Sequence, residues 1–223
     1  MFIAGTAMAA TKPAVAVKDF SNDTSAAWWY GGAGRDLADM LTNEMAGTGS
    51  FKMVEREKLG AVLDEQDLAD SGRISKKTGA QLGKLTGAKY IVTGSLSAFE
   101  TDVKGTGGGV SFRGISVGGK KEDAYLAVDL RVINTTTGEI EFTRTVEARA
   151  SSGGLNVGLY RGGFGGNLSK YEKTPTGKAI RAVIMEISEY LSCAMVEKGD
   201  CLDEYKAKDT SRKEKTKKSI KLD

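Results

Sequence analysis

The chain predicts an α+β fold: one β-sheet carrying amphipathic helices, with two long β-hairpins projecting from it. Three observations carry this reading. Strand patterns with a period of two alternate along the chain with helical stripes. Seven of the 29 glycines lie in GTGGGVSFRGISVGG (105–119) and seven more in GGLNVGLYRGGFGG (153–166), and strand-like runs flank both windows. Glycine costs backbone entropy and packs nothing, so its clustering beside strands marks excursions away from the core. Finally, no apolar run approaches the ~18 residues that a membrane-spanning helix needs.

In order, AVAVKDF (14–20) reads as a buried strand, closed by the Asp/Asn/Ser turn chemistry of a loop over 21–34. Residues 35–46 read as a helix with Leu37, Met40 and Leu41 on one face, stopped at Gly47. A short strand is expected over 51–54, then a charged helix over 55–68 with Leu59, Val62 and Leu63 turned inward. Ser75 caps a third expected helix that runs through Leu85. KYIVTGSLS (89–97) is a central strand. After the first glycine window the chain returns as YLAVDLRVIN (125–134), where Leu126, Val128, Leu130 and Val132 alternate with Ala127, Asp129 and Arg131. NTTTG (134–138) is a hairpin loop, and 139–150 is the partner strand that enters the second window. The last helix spans 176–195 with Ile180, Val183, Ile184, Ile187 and Leu191 on one stripe and Thr176 as its cap. The predicted hairpins are 99–125 and 146–173, with tips near 118–121 and 161–166.

The two ends are compositionally distinct. Ala7-Met8-Ala9 has the form of a signal-peptidase site, so residues 1–10 read as a signal-peptide remnant, or else as a frayed Ala-rich terminus. Residues 203–223 mix Lys206, Lys208, Arg212, Lys213, Lys215, Lys217, Lys218 and Lys221 with Asp209 and Glu214. That composition reads as a solvated, disordered tail, and with aromatic residues scarce there it offers no platform for base stacking, so no nucleic-acid partner is expected.

The chemistry is sparse. The chain has no His, which excludes Ser-His-Asp and Cys-His catalytic arrangements. Two cysteines cannot build a four-ligand zinc site. No nucleotide-binding loop is formed by 105–109 or by Thr176-Gly177-Lys178. No enzyme, metal or cofactor is expected. Cys193 and Cys201 flank a Gly-Asp turn and either close a disulfide after export or stay as two reduced thiols.

The run TGAKYIVTGSLSAFETDVKGTGGGVSFRGISVGGKKEDAYLAVDLRVINTTTGEI closely resembles the middle of the curli-secretion channel family, the CsgG family. The matching pieces are Glu100-Thr101-Asp102-Val103-Lys104, Ala127–Asn134 and Thr137-Gly138-Glu139-Ile140. Val54-Glu55-Arg56 with Leu59, Leu63 and Glu65-Gln66 is similar to the family's segment after its first helix, and Tyr171–Pro175 to the approach to its last. The likeness covers residues 14–195 within an expected domain of 11–202. It implies a single α/β periplasmic domain with an anticodon-binding-like sheet, whose two hairpins supply four transmembrane strands. About nine copies then close one outer-membrane β-barrel, a pore that passes unfolded polypeptide by diffusion, with or without a periplasmic capping partner. The runner-up is a soluble periplasmic accessory or adaptor of the same fold that forms no pore.

The residues supply two further expectations. Leu155, Val157 and Leu159 alternate with Asn156, Gly158 and Tyr160, as a lipid face and a water face should. In the first window Val110 and Phe112 fall on one register and Ile115 and Val117 on the other, which a bulge at Gly114 would reconcile. The family's channel is narrowed by a loop after the first strand. The matching loop here carries Trp28, Trp29 and Tyr30, which are assigned to the constriction; the alternative is that one Trp packs beneath the loop as core.

Overall fold

A computed structural model of the chain describes residues 11–105, 110–112, 115–117, 120–152, 168 and 173–219. Its centre is a mixed sheet. β1 (Ala14–Val17) runs parallel to β3 (Lys52–Met53) on one side and to β4 (Tyr90–Gly105) on the other. β4 pairs antiparallel with β7 (Lys120–Asn134), and β7 with β8 (Ile140–Ser151). The order is β3-β1-β4-β7-β8, and β2 (Ser21–Asn22) pairs with β4. The β7–β8 connection is the expected 134–138 loop: Gly138 takes φ 76° and its N–H donates to the Asn134 carbonyl at 2.8 Å.

One face of this sheet is covered by helices. α1 (Ala33–Thr48) and α3 (Pro175–Ser192) lay Leu37, Leu41, Ile180, Val183, Ile184, Ile187 and Leu191 over Val92, Leu96, Leu126, Val128, Leu130 and Val132. The stripe on α3 and the alternation on β7 are therefore two halves of one core. α1 runs past Gly47 and stops at Gly49, whose φ of 69° is a left-handed cap. At the start of α3 the cap is Thr174, whose hydroxyl accepts from the Gly177 N–H at 3.1 Å. Pro175 takes the first helical position, where its missing N–H costs nothing, and Thr176 is inside the helix.

Three expectations need correction. No helix forms over 75–85; the segment turns, held by the Thr78 and Gly79 N–H groups on the Ser75 carbonyl, and Gly83 takes φ 70°. α2 begins at Leu59 and ends at Asp70, and Val62 and Leu63 face outward at 38% and 43% exposure. Residues 203–219 are not a disordered tail. They belong to α4 (Cys201–Ser219), which is polar along most of its length and packs by its first turns.

α4 is attached by a few specific interactions. α3 ends in a π-helical turn, Cys193–Glu197, after which Lys198 adopts φ 52° and reverses the chain. A Cys193–Cys201 disulfide closes that reversal, with Cα atoms 6.0 Å apart. Beyond it, Arg144 of β8 lies against two tyrosines that meet edge-on at 5.2 Å, its guanidinium 5.0 Å from the Tyr190 ring centre and 4.7 Å from that of Tyr205. The side chain is only 7% exposed, pairs with Asp209 at 3.0 Å and donates to the Tyr205 carbonyl at 3.3 Å. Arg212–Glu147 at 3.2 Å and Lys208–Glu186 at 3.0 Å add more exposed ties.

Removing the guanidinium leaves Asp209 and two tyrosine rings without their common partner. Arg144→Ala should cost about 2–4 kcal/mol in denaturant unfolding and release amide protection over 201–219. The Tyr205 phenol is pushed up to about 12 by burial, then by Glu186 and Glu189. Because that value lies above the unfolded ~10, the stabilisation is full below about pH 10 and is lost as pH rises toward 12. Hydrogen exchange of α4 across that window reads the loss. Thiol labelling of denatured, unreduced protein should find no reactive Cys.

Candidate functional site at the root of the first hairpin

The β4–β7 pair continues past the core. β4 has 16 residues, a span of roughly 50 Å, and its ladder with β7 runs unbroken from Phe99↔Leu126 to Gly105↔Lys120. A register shift lies between Leu96 and Ala98, and the buried core continues past it through Leu126 to Ala124. Further out, β5 (Val110–Phe112) pairs antiparallel with β6 (Ile115–Val117). The chain therefore reverses between Phe112 and Ile115. This corrects the expected tip at 118–121, since Lys120 and Lys121 already belong to β7. Val110 stands opposite Val117 and Phe112 opposite Ile115, while the bulge expected at Gly114 lies outside the described residues. Of the second predicted hairpin, Val146–Ser151 lie in β8. Leu155, Val157 and Leu159 lie outside the described residues.

The aromatic loop sits where the hairpin leaves the sheet. β2 ties its start to β4 through Ser21↔Ser95 and Asn22↔Leu96, and the Asp23 N–H donates to the Leu96 carbonyl at 3.0 Å. Ser95 Oγ donates to the Asp23 carboxylate. The Asn22 side chain then accepts from the Thr24 N–H at 2.9 Å and starts the turn. The loop's exit depends on two glycines packed against Phe20. A Cβ at Gly34 would stand 2.1 Å from the Phe20 carbonyl oxygen, and one at Gly94 2.4 Å from the Phe20 ring. Tyr30 donates its hydroxyl to Asp36 in the first turn of α1.

The three aromatic residues divide. Trp28 is 4% exposed and belongs to the core, tilted against Trp29 at 5.5 Å and edge-on to Phe99 at 5.9 Å. Its indole Nε1 finds no acceptor among the described residues. In this conformation Trp28 is the packed tryptophan that the sequence left as one of two outcomes, and it does not line a surface. Trp29 and Tyr30 are half-buried against the same cluster and reach solvent. Sequence reasoning missed Phe99, the residue on which Trp28 rests, because only the shift after Leu96 brings it under the loop.

The described residues offer no alternative chemistry. They contain no cluster of His, Cys, Asp or Glu able to hold a metal ion, and no helix long and apolar enough to cross a membrane. Beyond the helical face the sheet is polar: Asp129 accepts from the Thr145 hydroxyl at 2.6 Å, and Arg149 stacks on Tyr125 at 5.2 Å. Burial, reinforced by Glu147, raises the Tyr125 phenol above its ordinary value.

The family model of the curli production assembly/transport component CsgG matches residues 3–220. The chain belongs to the CsgG family. The CsgG proteins of Escherichia coli (strain K12) and Salmonella typhimurium (strain LT2) are each 29% identical to it over 126 residues, 55% of this chain and 46% of theirs. The chain thus spans about half the length of these curated relatives. Among solved structures, protein CT253 of Chlamydia trachomatis superposes with a TM-score of 0.47 at 14% identity, covering 82% of this chain and 97% of that one.

Substituting either close-contact glycine tests how the loop is held. Gly34→Ala pushes a methyl into backbone that cannot yield, whereas Gly94→Ala displaces only the Phe20 ring. Both should lower the thermal midpoint, Gly34→Ala more, by at least about 3 kcal/mol at that temperature. Intrinsic Trp fluorescence should report the change, since Trp28 loses its enclosure.

Proposed function

We propose that the chain is a subunit of an outer-membrane secretion channel, a ring-forming diffusive pore through which unfolded polypeptide leaves the periplasm. The observation that carries this is the placement of the aromatic loop at the root of a strand pair that outruns its own core. Strands that extend beyond helix cover present open edges, and in lipid an open edge is tolerated only when neighbours close it. Two hairpins from each copy, arranged in a ring of about nine, would supply that closure as one β-barrel. The helical domain then stays in the periplasm. Family membership supports an envelope role of this kind.

Trp29 and Tyr30 narrow the passage in this reading. Each half-buried ring is braced from behind, Trp29 by Trp28 and Tyr30 by its bond to Asp36. A collar of braced aromatic faces would contact an extended chain without reading its sequence. Outer-membrane lipid surrounds the barrel, with Leu155, Val157 and Leu159 facing it. A periplasmic cap would dock on the helical side.

Single-channel recording in planar bilayers tests both assignments. Trp29→Ala/Tyr30→Ala should assemble and conduct more than the wild type, because the collar is wider. Val157→Asp should fold its helical domain but insert poorly, giving severalfold fewer channels, since a charged side chain on the lipid face destabilises the inserted strand. A wild-type protein that never conducts points to a soluble adaptor.

A further inference from the structure

Two charge clusters, one on α2 and one in the last turns of α4, find no ion-pair partner among the described residues. α2 carries Asp64, Glu65, Asp67 and Asp70, with no Lys or Arg over 59–70. All four are exposed, and none forms an ion pair among the described residues. The cations that follow them in sequence, Arg73, Lys76, Lys77 and Lys84, do not pair with them. The same helix leaves Val62, Leu63 and Leu68 in water, and the segment after it adds Leu82 and Leu85. α4 is the counterpart. Its first half uses its cations internally, Lys206 on Asp203, Lys208 on Glu186 and Arg212 on Glu147. In its last turns Lys213, Lys215, Lys217 and Lys218 are exposed and form no ion pair among the described residues.

Topology separates the two. α2 follows β3, at one end of the strand order, and its approach is held to α1 by Lys58–Asp39 at 3.1 Å and Arg35–Glu57 at 3.8 Å. α4 is tied to β8, at the other end. One surface is therefore acidic with apolar side chains exposed. The other is basic, and its long methylene stems can cover apolar groups while the ammonium heads reach carboxylates.

We propose that the acidic, leucine-bearing face of α2 docks on the basic C-terminal half of α4 in a second copy of this chain. Such a contact is head-to-tail: each copy offers a different patch to each neighbour, so repetition closes a ring when the rotation per copy allows it. The proposal rests on the channel reading for the expectation that copies pack side by side. It adds which surfaces meet.

The test is the particle mass of the full-length protein in detergent micelles, with conductance recorded separately. One variant reverses α2 (Asp64→Lys, Asp67→Lys, Asp70→Lys). A second reverses α4 (Lys213→Glu, Lys215→Glu, Lys217→Glu, Lys218→Glu), and a third carries both sets. Each single set should weaken assembly at least about tenfold, and the doubly reversed chain should assemble again. The neutral set, Asp64→Asn, Asp67→Asn and Asp70→Asn, should weaken assembly in the same direction and flatten its salt dependence, which keeps the test valid if a reversed chain folds poorly. Assembly indifferent to both reversals overturns the contact, as does loss without recovery in the double set. A particle that obeys the reversals but conducts nothing keeps the contact and removes the channel. A conducting ring indifferent to them does the opposite, and a wild-type monomer removes both.

Discussion

The β4–β7 ladder is shared by the parts of the molecule that do different work. At its inner end Leu126, Val128, Leu130 and Val132 lie under α1 and α3, and the strand pair is held by a core that nothing else could fill. At its outer end the same hydrogen bonds continue to Gly105 and Lys120 with no helix above them. An antiparallel pair is stiff along its length, so the buried half sets the direction in which the exposed half leaves. The shift after Leu96 lies within the buried half, and it is there that the loop carrying Trp29 and Tyr30 is fastened.

The second organising contact is at the far edge. β8 would end the sheet with one side open, and α4 has little apolar surface with which to cover it. A single buried guanidinium solves this. Arg144 replaces a hydrophobic seam with two aromatic faces and one carboxylate, while the Cys193–Cys201 bond fixes where α4 starts. Because the hold is concentrated in the first half of the helix, the second half remains as an exposed basic rod. The proposed contact between copies uses what this arrangement leaves over.

The sequence was informative where burial imposes a period. The alternation on β7 and the stripe on α3 fall on the residues that pack together, because a face in water and a face in the core must differ in polarity. The 134–138 turn was legible because Asn and Gly occupy the positions that the reversal needs. Elsewhere the deciding contacts are long-range. α4 has no apolar stripe to announce it, and its anchor is an Arg some sixty residues earlier in the chain. Leu59, Val62 and Leu63 have helical spacing, yet Val62 and Leu63 stay exposed among the described residues, so periodicity alone pointed them inward. The glycine run at 118–119 suggested a tip, whereas Lys120 and Lys121 already pair within the β4–β7 ladder and Phe112 pairs with Ile115. Trp28 looked like surface because its neighbours are Ala and Gly; the ring beneath it, Phe99, arrives from β4. The family resemblance was readable mainly from motifs on the β4–β7 ladder, Glu100–Lys104 and Ala127–Asn134.

If the ladder is the stalk of a channel, the assembled particle must be a closed ring with the hairpins bundled on one side. Negative-stain imaging of the full-length protein extracted in detergent tests this most directly. Rings of uniform diameter with a stain-filled centre are the predicted result. A field of small, separate particles of single-subunit size would contradict it.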